Sequence, residues 1–453
     1  MSHSVPDTGA LYGASAAPAA QQTALTSGQV PVAVYGLGKM GLPLAGVFAD
    51  LTGNVTGVDV DPEVVRAVEA GQCPVDNEPG LEALVGQTAA EGHLRATEDA
   101  VGAAEDARLH VVIVPTLVDA DREPDLGTIE AVVDRIGAGL APGDVVAVES
   151  TVPPRTCADV IDPRLADASG LDPSAYGLAF CPERTASGRA LEDITGAYPK
   201  VVGGRDDEST RVARLVYDEV TSNEVIPVAD CTTAECVKVF EGVYRDVNIA
   251  LANELATFAE ELAVDVRGAI EVANTQPFCD IHDPGPGVGG HCIPYYPYFL
   301  INGCETPAPL LERARAVNDA MAAHAVERLE SALAARGQDL DGATVLLLGV
   351  TYRPGVDETR ASPAYPVAAG LRAAGAEVYA ADPVCSDMSD LAATPTTIDL
   401  VPALDPDAAV LVTAQDAFEA VAWEACEDLV VLDTRDALAE VGGHDLVTLG
   451  DGS

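Results

Sequence analysis

The sequence predicts an α/β protein of two doubly wound parallel-sheet domains joined by a central helical region with one long helix. Three observations predict it. Short aliphatic and β-branched runs alternate with helix-length stretches near both ends of the chain, the pattern that builds parallel sheets. Between them, residues 232–264 hold no Gly or Pro except Gly242. At 453 residues, the chain also exceeds what one hydrophobic core ordinarily serves.

Residues 1–29 are rich in Ala, Ser, Gly and Gln, with neither a basic start nor a continuous apolar run. They are expected to form a mobile leader and not a signal peptide. Val32–Tyr35 reads as a buried strand, followed at once by Gly36-Leu37-Gly38-Lys39-Met40-Gly41 and a helix over Leu42–Asp50. Val55–Val58 is a second strand ending at Asp59, and runs at His110–Val114 and Val145–Val148 continue the alternation, so a first domain spans 30–226.

A central helical domain is expected over 227–335. Val237, Phe240, Val243, Val247, Leu251, Leu255 and Phe258 recur at helical spacing and predict one helix over Thr232–Val264. The Gly- and Pro-dense stretch Pro284–Pro297 reads as an irregular loop carrying His291 and Cys292, and loops that hold such residues are where function concentrates. A last α/β domain over 336–453 opens with strand Thr344–Leu348. Helix Ala364–Ala373 follows, then strands at Glu377–Ala380, Val410–Thr413 and Leu429–Asp433.

Seventy-two acidic residues face twenty-five basic ones, for a net charge of -47, and the only lysines are Lys39, Lys200 and Lys238. That balance argues against a nucleic-acid partner. The carboxylates are spread through every segment, which predicts a hydrated surface screened by concentrated salt, as in a high-salt cytosol. No stretch approaches a membrane span. Ten cysteines show no Cys-x-x-Cys pair, and Cys231 and Cys236 are too isolated to complete a zinc site. They read as reduced cytoplasmic thiols, and no metal is expected.

Gly36, Gly38 and Gly41 form Gly-x-Gly-x-x-Gly between a strand and a helix, where missing side chains let a pyrophosphate approach the helix N-terminus. Alone the pattern is weak. Asp59 at the end of the next strand strengthens it, because a carboxylate there accepts from both adenosine ribose hydroxyls and favours NAD over NADP. A glycine turn serving only helix–strand packing is the bland alternative, and the ordered strand, glycines, helix and acid argue against it. Both terminal domains are therefore expected to be Rossmann-like, the first binding NAD.

The glycine motif, Glu149-Ser150-Thr151-Val152-Pro153-Pro154, Cys181-Pro182-Glu183-Arg184, the Lys238 helix and Gly287-Val288-Gly289-Gly290-His291-Cys292 occur in that order. In this the chain resembles the UDP-glucose/GDP-mannose dehydrogenase family across about 400 residues. Within it, Arg245-Asp246-Val247-Asn248-Ile249-Ala250 and the run Pro284–Pro294 look most like the UDP-N-acetyl-D-mannosamine dehydrogenase branch. The resemblance implies a cytoplasmic homodimer or higher homo-oligomer built through the long helix. It also implies a UDP-sugar substrate oxidised at C6 to the uronate, with a role in polysaccharide biosynthesis.

The resemblance implies that Cys292 is a covalent nucleophile, passing through a thiohemiacetal and a thioester. Considered alone, a cysteine among nine others is ordinarily inert packing. Lys238 would stabilise the sugar oxyanion, and its scarcity supports that role over a solvent-facing one. Glu183 would activate the hydrolytic water and Thr151 position that water or the nicotinamide, while Thr116 would join the cofactor site. Arg245, Asn248, Gly289, Gly290, Arg353 and Arg360 would hold the substrate, the two arginines of Tyr352–Pro363 gripping its diphosphate. The glycines beside Cys292 would leave room for a substrate carbon.

Three positions depart from the family pattern. Gly242 stands where an asparagine is usual, Tyr296 where an aspartate is usual, and Arg353 where a lysine is usual. The first two touch proton transfer, for which Tyr295 or Tyr296 is a possible substitute. UDP-glucose is a rival substrate, because the motifs act at C6, remote from any acetamido group. A non-catalytic nucleotide-sugar binding protein is a rival of another class. The second α/β unit and the cysteine loop disfavour a 6-phosphogluconate-type or 3-hydroxyacid dehydrogenase.

Overall fold

A computed structural model describes residues 10–119 and 121–452. Backbone contacts divide the chain into two compact units, one running to Phe240 and including Tyr298–Glu305, the other holding Glu241–Pro297 and residues from Thr306 onward.

The first unit is built on an eight-stranded sheet. Its strands are β1 (Val32–Tyr35), β2 (Val55–Val58), β3 (Leu94–Thr97), β4 (Leu109–Val112), β5 (Val145–Val148), β6 (Gly177–Phe180), β7 (Lys200–Gly204) and β8 (Val225–Pro227), in the order β8-β7-β6-β5-β4-β1-β2-β3. All neighbours are parallel except β6 and β7. β1, β4, β5 and β6 are buried at every position, as expected of strands covered on both faces, which explains their apolar runs, broken only at His110 of β4. The strand order reverses between β1 and β4, and ligands of such sheets bind at the carboxyl ends of the strands beside that reversal.

The expected mobile leader is corrected over the residues described. Helix α1 (Pro18–Thr26) packs on α2 (Gly41–Thr52) and α3 (Asp207–Val220), and Leu11 and Leu25 are wholly buried. Tyr12 donates to Asp206 at 2.9 Å, and Gln21 donates to the Leu11 carbonyl at 2.8 Å. Composition missed this because two leucines and a tyrosine among small polar residues supply enough buried area. Residues 1–9 of that expectation lie outside the described residues.

In the second unit, β9 (Thr344–Leu348), β10 (Glu377–Ala381), β11 (Thr394–Pro395), β12 (Ala408–Leu411), β13 (Val430–Asp433) and β14 (Asp445–Thr448) form an all-parallel sheet. Its order, β11-β10-β9-β12-β13-β14, repeats the doubly wound reversal. The fold is thus α/β, with Rossmann-like sheets at both ends of the sequence and helices between them.

The long helix, α4 (Cys231–Ala256), ends eight residues before the expected Val264. At Thr257 and Phe258 the backbone tightens to bonds with Glu254 and Leu255, and the Thr257 hydroxyl also bonds the Glu254 carbonyl at 2.7 Å. A side-chain hydroxyl competing for backbone partners favours such a stop. The loop before the short helix α5 (Tyr296–Ile301) ends two residues sooner than the expected Pro297, and α6 (Pro309–Ala335) follows.

The buried face of α4 mixes small apolar residues, Ala234, Val239, Ala250, Ala252 and Ala256, with polar ones. Glu235, Lys238, Asp246 and Asn253 are buried, whereas Phe240, Tyr244 and Leu251 are about half exposed. The largest side chains of α4 thus form an outward stripe, while Val237, Val243, Val247 and Leu255 of the apolar repeat are half-buried. Among the described residues, no helix is long and apolar enough to cross a membrane.

Candidate active site

At the β1–β4 reversal the three motif glycines do three different jobs. Gly36 has φ +98°, and a Cβ there would lie 2.7 Å from the Ile113 carbonyl oxygen on the neighbouring strand's exit. A Cβ on Gly41 would meet the Gly36 oxygen at 1.9 Å, so only glycine lets α2 start this close to β1. Gly38 faces open space within 4 Å, the clearance a pyrophosphate needs.

Asp59 accepts the Leu37 N–H at 2.7 Å and the Asp61 N–H at 3.0 Å, which fixes a half-buried carboxylate beside the glycine loop with lone pairs left over. The Thr116 hydroxyl is buried without a hydrogen-bond partner in the protein. A cleared glycine loop, an oriented acid and an orphaned hydroxyl fit a bound dinucleotide.

Beyond β5 and β6 lie the sequence-predicted catalytic residues of this unit. The Glu149 and Ser150 N–H groups both bond the Val112 carbonyl, which sets the turn carrying Thr151. The Glu183 N–H reaches the Glu149 carbonyl at 3.4 Å, and its carboxylate accepts from the Thr185 N–H. Lys238 Nζ stands 3.7 Å from Glu183 Oε2, with the two side chains only 10% and 14% exposed. The structure thus brings Lys238 and Glu183 together as a nearly dry ion pair.

Behind them is a cluster that the sequence reading did not single out. Lys200 Nζ bonds Glu149 Oε2 at 2.6 Å and lies 4.6 Å from the centre of the Tyr217 ring, while the Tyr217 hydroxyl donates to Glu149 Oε1. Burial pushes the Tyr217 hydroxyl and the neighbouring Cys181 thiol well up, so both stay protonated. A cavity of about 30 Å³, enough for one water, touches Glu149, Glu183, Lys200 and Tyr217. Lys200 is one of only three lysines, so the scarcity that marks Lys238 marks it too.

In the other unit, the loop that ends at Cys292 is heavily anchored. Asn248 donates to the Asp280 carbonyl at 2.6 Å and accepts the His282 N–H at 2.9 Å, so its amide is committed to the loop backbone. Asn253 accepts the Gly285 N–H at 2.8 Å and donates to Asn318 at 2.8 Å. Arg315 and Asn318 of α6 both bond Asp246, whose pKa burial raises. Arg267 grips the carbonyls of Pro284, Thr434 and Leu449. Arg435, beside Gly285, is pushed down to about 10 by burial and by Arg267. Asp246 and Asn248 lie in the Arg245–Ala250 segment that the sequence marked, whereas Asn253, Arg267, Arg315, Asn318 and Arg435 carry no motif, so sequence alone did not mark them.

The room expected beside Gly289 and Gly290 is filled. A Cβ on Gly289 would lie 2.8 Å from Tyr352 Cβ, and one on Gly290 would lie 2.9 Å from the Tyr352 ring. These glycines seat the loop on Tyr352, and the Gly290 N–H bonds the Arg360 carbonyl at 2.9 Å. His291 pairs with Glu358. Cys292 itself is exposed. Arg353 is half-buried, while Arg245 and Arg360 are exposed, Arg360 bordering an open depression with Asp357, Glu358, Thr359, Ser386 and Asp387. Asp382 ends β10 as Asp59 follows β2, accepting the Val350 and Thr351 N–H groups at 2.7 and 2.9 Å. Among the described residues, no group of three or more His, Cys, Asp or Glu could hold a metal ion.

A dinucleotide loop at a sheet reversal, with a buried pair between Glu183 beyond β6 and Lys238 of α4, defines an NAD-dependent oxidoreductase. Comparison with known proteins narrows this. The UDP-glucose/GDP-mannose dehydrogenase models match along the chain: the NAD binding domain at residues 30–221, the central domain at 232–320 and the UDP binding domain at 346–440. The UDP-N-acetyl-D-mannosamine dehydrogenase of Pyrococcus horikoshii is 32% identical over 416 residues, covering 90% of this chain and 96% of the relative. An NDP-N-acetyl-D-galactosaminuronic acid dehydrogenase of Ralstonia nicotianae is 34% identical over 340 residues, 74% of this chain and 78% of the relative.

Among solved structures, UDP-D-ManNAc dehydrogenase from Pyrococcus horikoshii matches with TM-score 0.85 at 30% identity, covering 93% of this chain and all of that one. A UDP-glucose dehydrogenase from Pyrobaculum islandicum matches with TM-score 0.84 at 28% identity, covering 93% and 98%. The chain belongs to the UDP-glucose/GDP-mannose dehydrogenase family and is an NAD-dependent nucleotide-sugar dehydrogenase.

Proposed function

We propose that the protein oxidises the C6 alcohol of UDP-N-acetyl-D-mannosamine to the carboxylate in two steps, with Cys292 as covalent nucleophile. The observation that carries the reading is Cys292 itself. It is an accessible thiol at the end of a loop held by Asn248, Asn253 and Gly290, whereas four of the other cysteines are buried. The relatives that act on acetamido sugars support the choice of substrate.

Gly36, Gly38, Gly41, Asp59 and Thr116 would hold the cofactor. Bound NAD supplies a hydride acceptor for each oxidation. Lys238, kept in place by Glu183, offers its ammonium to the oxygen on which charge develops at C6. The Cys292 thiolate adds to the aldehyde carbon, and the thiohemiacetal keeps the reactive aldehyde from escaping. After the second oxidation, Glu183 takes a proton from the water that cleaves the thioester, and Thr151 orients that water. Arg353 and Arg360 grip the diphosphate, with Arg245, Asn248, Gly289 and Gly290 completing the substrate's surroundings. The domains are taken as 30–226 for NAD, 227–335 for the cysteine loop and 336–453 for the UDP-sugar.

The outward stripe of Phe240, Tyr244 and Leu251 is the surface expected to meet a second copy, making a homodimer or larger homo-oligomer that light scattering reads directly. The carboxylate-rich surface fits a salt-rich cytosol, so assays belong in molar potassium chloride. The deciding measurement is NADH released per mole of UDP-N-acetyl-D-mannosamine and, separately, UDP-glucose, with Cys292→Ser as control. About two NADH from the acetamido sugar, little from UDP-glucose and no steady turnover by the variant are expected. The reverse preference moves the substrate to UDP-glucose. Binding without NADH from either sugar would instead point to a non-catalytic nucleotide-sugar binder.

A further inference from the structure

Gly242 lies in the interior of α4, away from either cap, and its φ is not positive. A glycine there weakens the helix for no backbone reason. The reason is steric. A Cβ on Gly242 would stand 2.2 Å from Cδ2 of Tyr296 and 3.1 Å from both Cε2 and Cγ, so the tyrosine ring lies directly against the helix backbone. Both residues are buried, Tyr296 at 7% exposure. The Tyr296 N–H bonds the Cys292 carbonyl at 3.0 Å, so the ring sits one short turn past the thiol.

We infer that Tyr296 is a positioning residue for Cys292, its ring locked in the notch that Gly242 leaves in α4. The anchors at Asn248, Asn253 and Gly290 hold the chain before the cysteine. The ring on Gly242 holds it after, so the thiol is pinned from both sides. The notch lies one helical turn beyond Lys238 along the sequence of α4. Gly242 and Tyr296 are thus one device: bulk added at 242 requires bulk removed at 296.

The inference rests on Cys292 as the nucleophile, and its test separates the two claims. Gly242→Ala, Tyr296→Phe, Tyr296→Ala and the double Gly242→Ala/Tyr296→Ala are compared in the full chain carrying Cys304→Ser, since Cys304 is also exposed. The readouts are kcat, KM for NAD, and the rate at which iodoacetamide alkylates Cys292. Tyr296→Phe, which keeps the ring, is expected within about twofold of the parent in kcat. Gly242→Ala and Tyr296→Ala each lose roughly 100-fold in kcat, as a misplaced reacting group does, with KM for NAD unchanged and an altered alkylation rate. The double variant falls no further than Tyr296→Ala alone, because one contact is lost once.

Additive losses overturn the proposal, as does a Tyr296→Phe variant as slow as Tyr296→Ala. Parental kcat and alkylation rate in Tyr296→Ala, which only removes atoms and so guards against a misfolded Gly242→Ala, overturn it too. If Cys292→Ser turns over normally, the nucleophile reading fails, and the alkylation rates still decide whether the ring pins the loop.

Discussion

Replacing Lys200 by methionine tests whether the buried cluster behind the catalytic candidates Thr151 and Glu183 holds them in place. The substitution keeps the aliphatic stem and removes the ammonium that bonds Glu149 at 2.6 Å. Glu149 is 1% exposed and would be left as a buried carboxylate with the Tyr217 hydroxyl, while Lys200 is 16% exposed, so some water reaches the vacated place. Breaking one side of such a pair costs about 3–5 kcal/mol, and partial water access selects the low end, about 3 kcal/mol. For a unit of this size that lowers Tm by roughly 6–12 °C. Calorimetry at matched salt measures it. Lys200→Met/Glu149→Gln is expected to recover roughly 2 kcal/mol of the loss, since the amide oxygen still accepts from Tyr217 and no charge is stranded. Because Glu149 leads into Thr151 and its carbonyl accepts the Glu183 N–H, kcat should fall with stability in the single variant. A single variant within about 0.5 kcal/mol of the parent, or a double variant as unstable as the sum of the singles, refutes the reasoning.

Gly41→Ala forces a Cβ to within 1.9 Å of the Gly36 oxygen, whereas Gly38→Ala enters open space. Thermal unfolding and NAD titration should therefore separate them, the first losing both stability and binding, the second keeping its Tm while binding NAD roughly tenfold more weakly; equal behaviour would sink the assignment of roles. Glu235 is buried, accepts the Arg155 and Cys157 N–H groups, and has a pKa raised by burial from 4.5 to about 6. A carboxyl raised in the fold adds stability that is complete below its unfolded pKa and lost as pH rises through about 6, here roughly 2 kcal/mol. Denaturant titrations at about pH 4 and about pH 7 should show that drop in the parent and not in Glu235→Gln, and parallel curves would contradict it.

Many strands were legible because buried parallel strands must be apolar on both faces, and Val32–Tyr35, Val55–Val58, Val145–Val148 and Thr344–Leu348 fall where the runs do, whereas the strand order was not. The glycine motif was legible for a similar local reason: three glycines within six residues specify a turn. Burial within a helix was not. Val237 to Phe258 show helical period in the sequence, yet the stripe through Phe240, Tyr244 and Leu251 faces outward and the polar Glu235, Lys238, Asp246 and Asn253 face in. Periodicity reports that a helix has two faces, not which one the protein covers.

By itself the sequence determined the α/β class, the order of the elements and the dinucleotide turn, all set by residues close together in the chain, and through the family resemblance it pointed to Cys292, Lys238 and Glu183 as candidates. Only the tertiary structure decided that Lys238 meets Glu183, that Lys200 and Tyr217 back Glu149, that Tyr352 fills the space beside Gly289 and Gly290, and that the Tyr296 ring occupies the notch at Gly242. Those pairings join positions tens of residues apart, and their partners are chosen by shape and by the cost of leaving a buried charge or notch unmatched, terms that exist only once the chain has closed on itself.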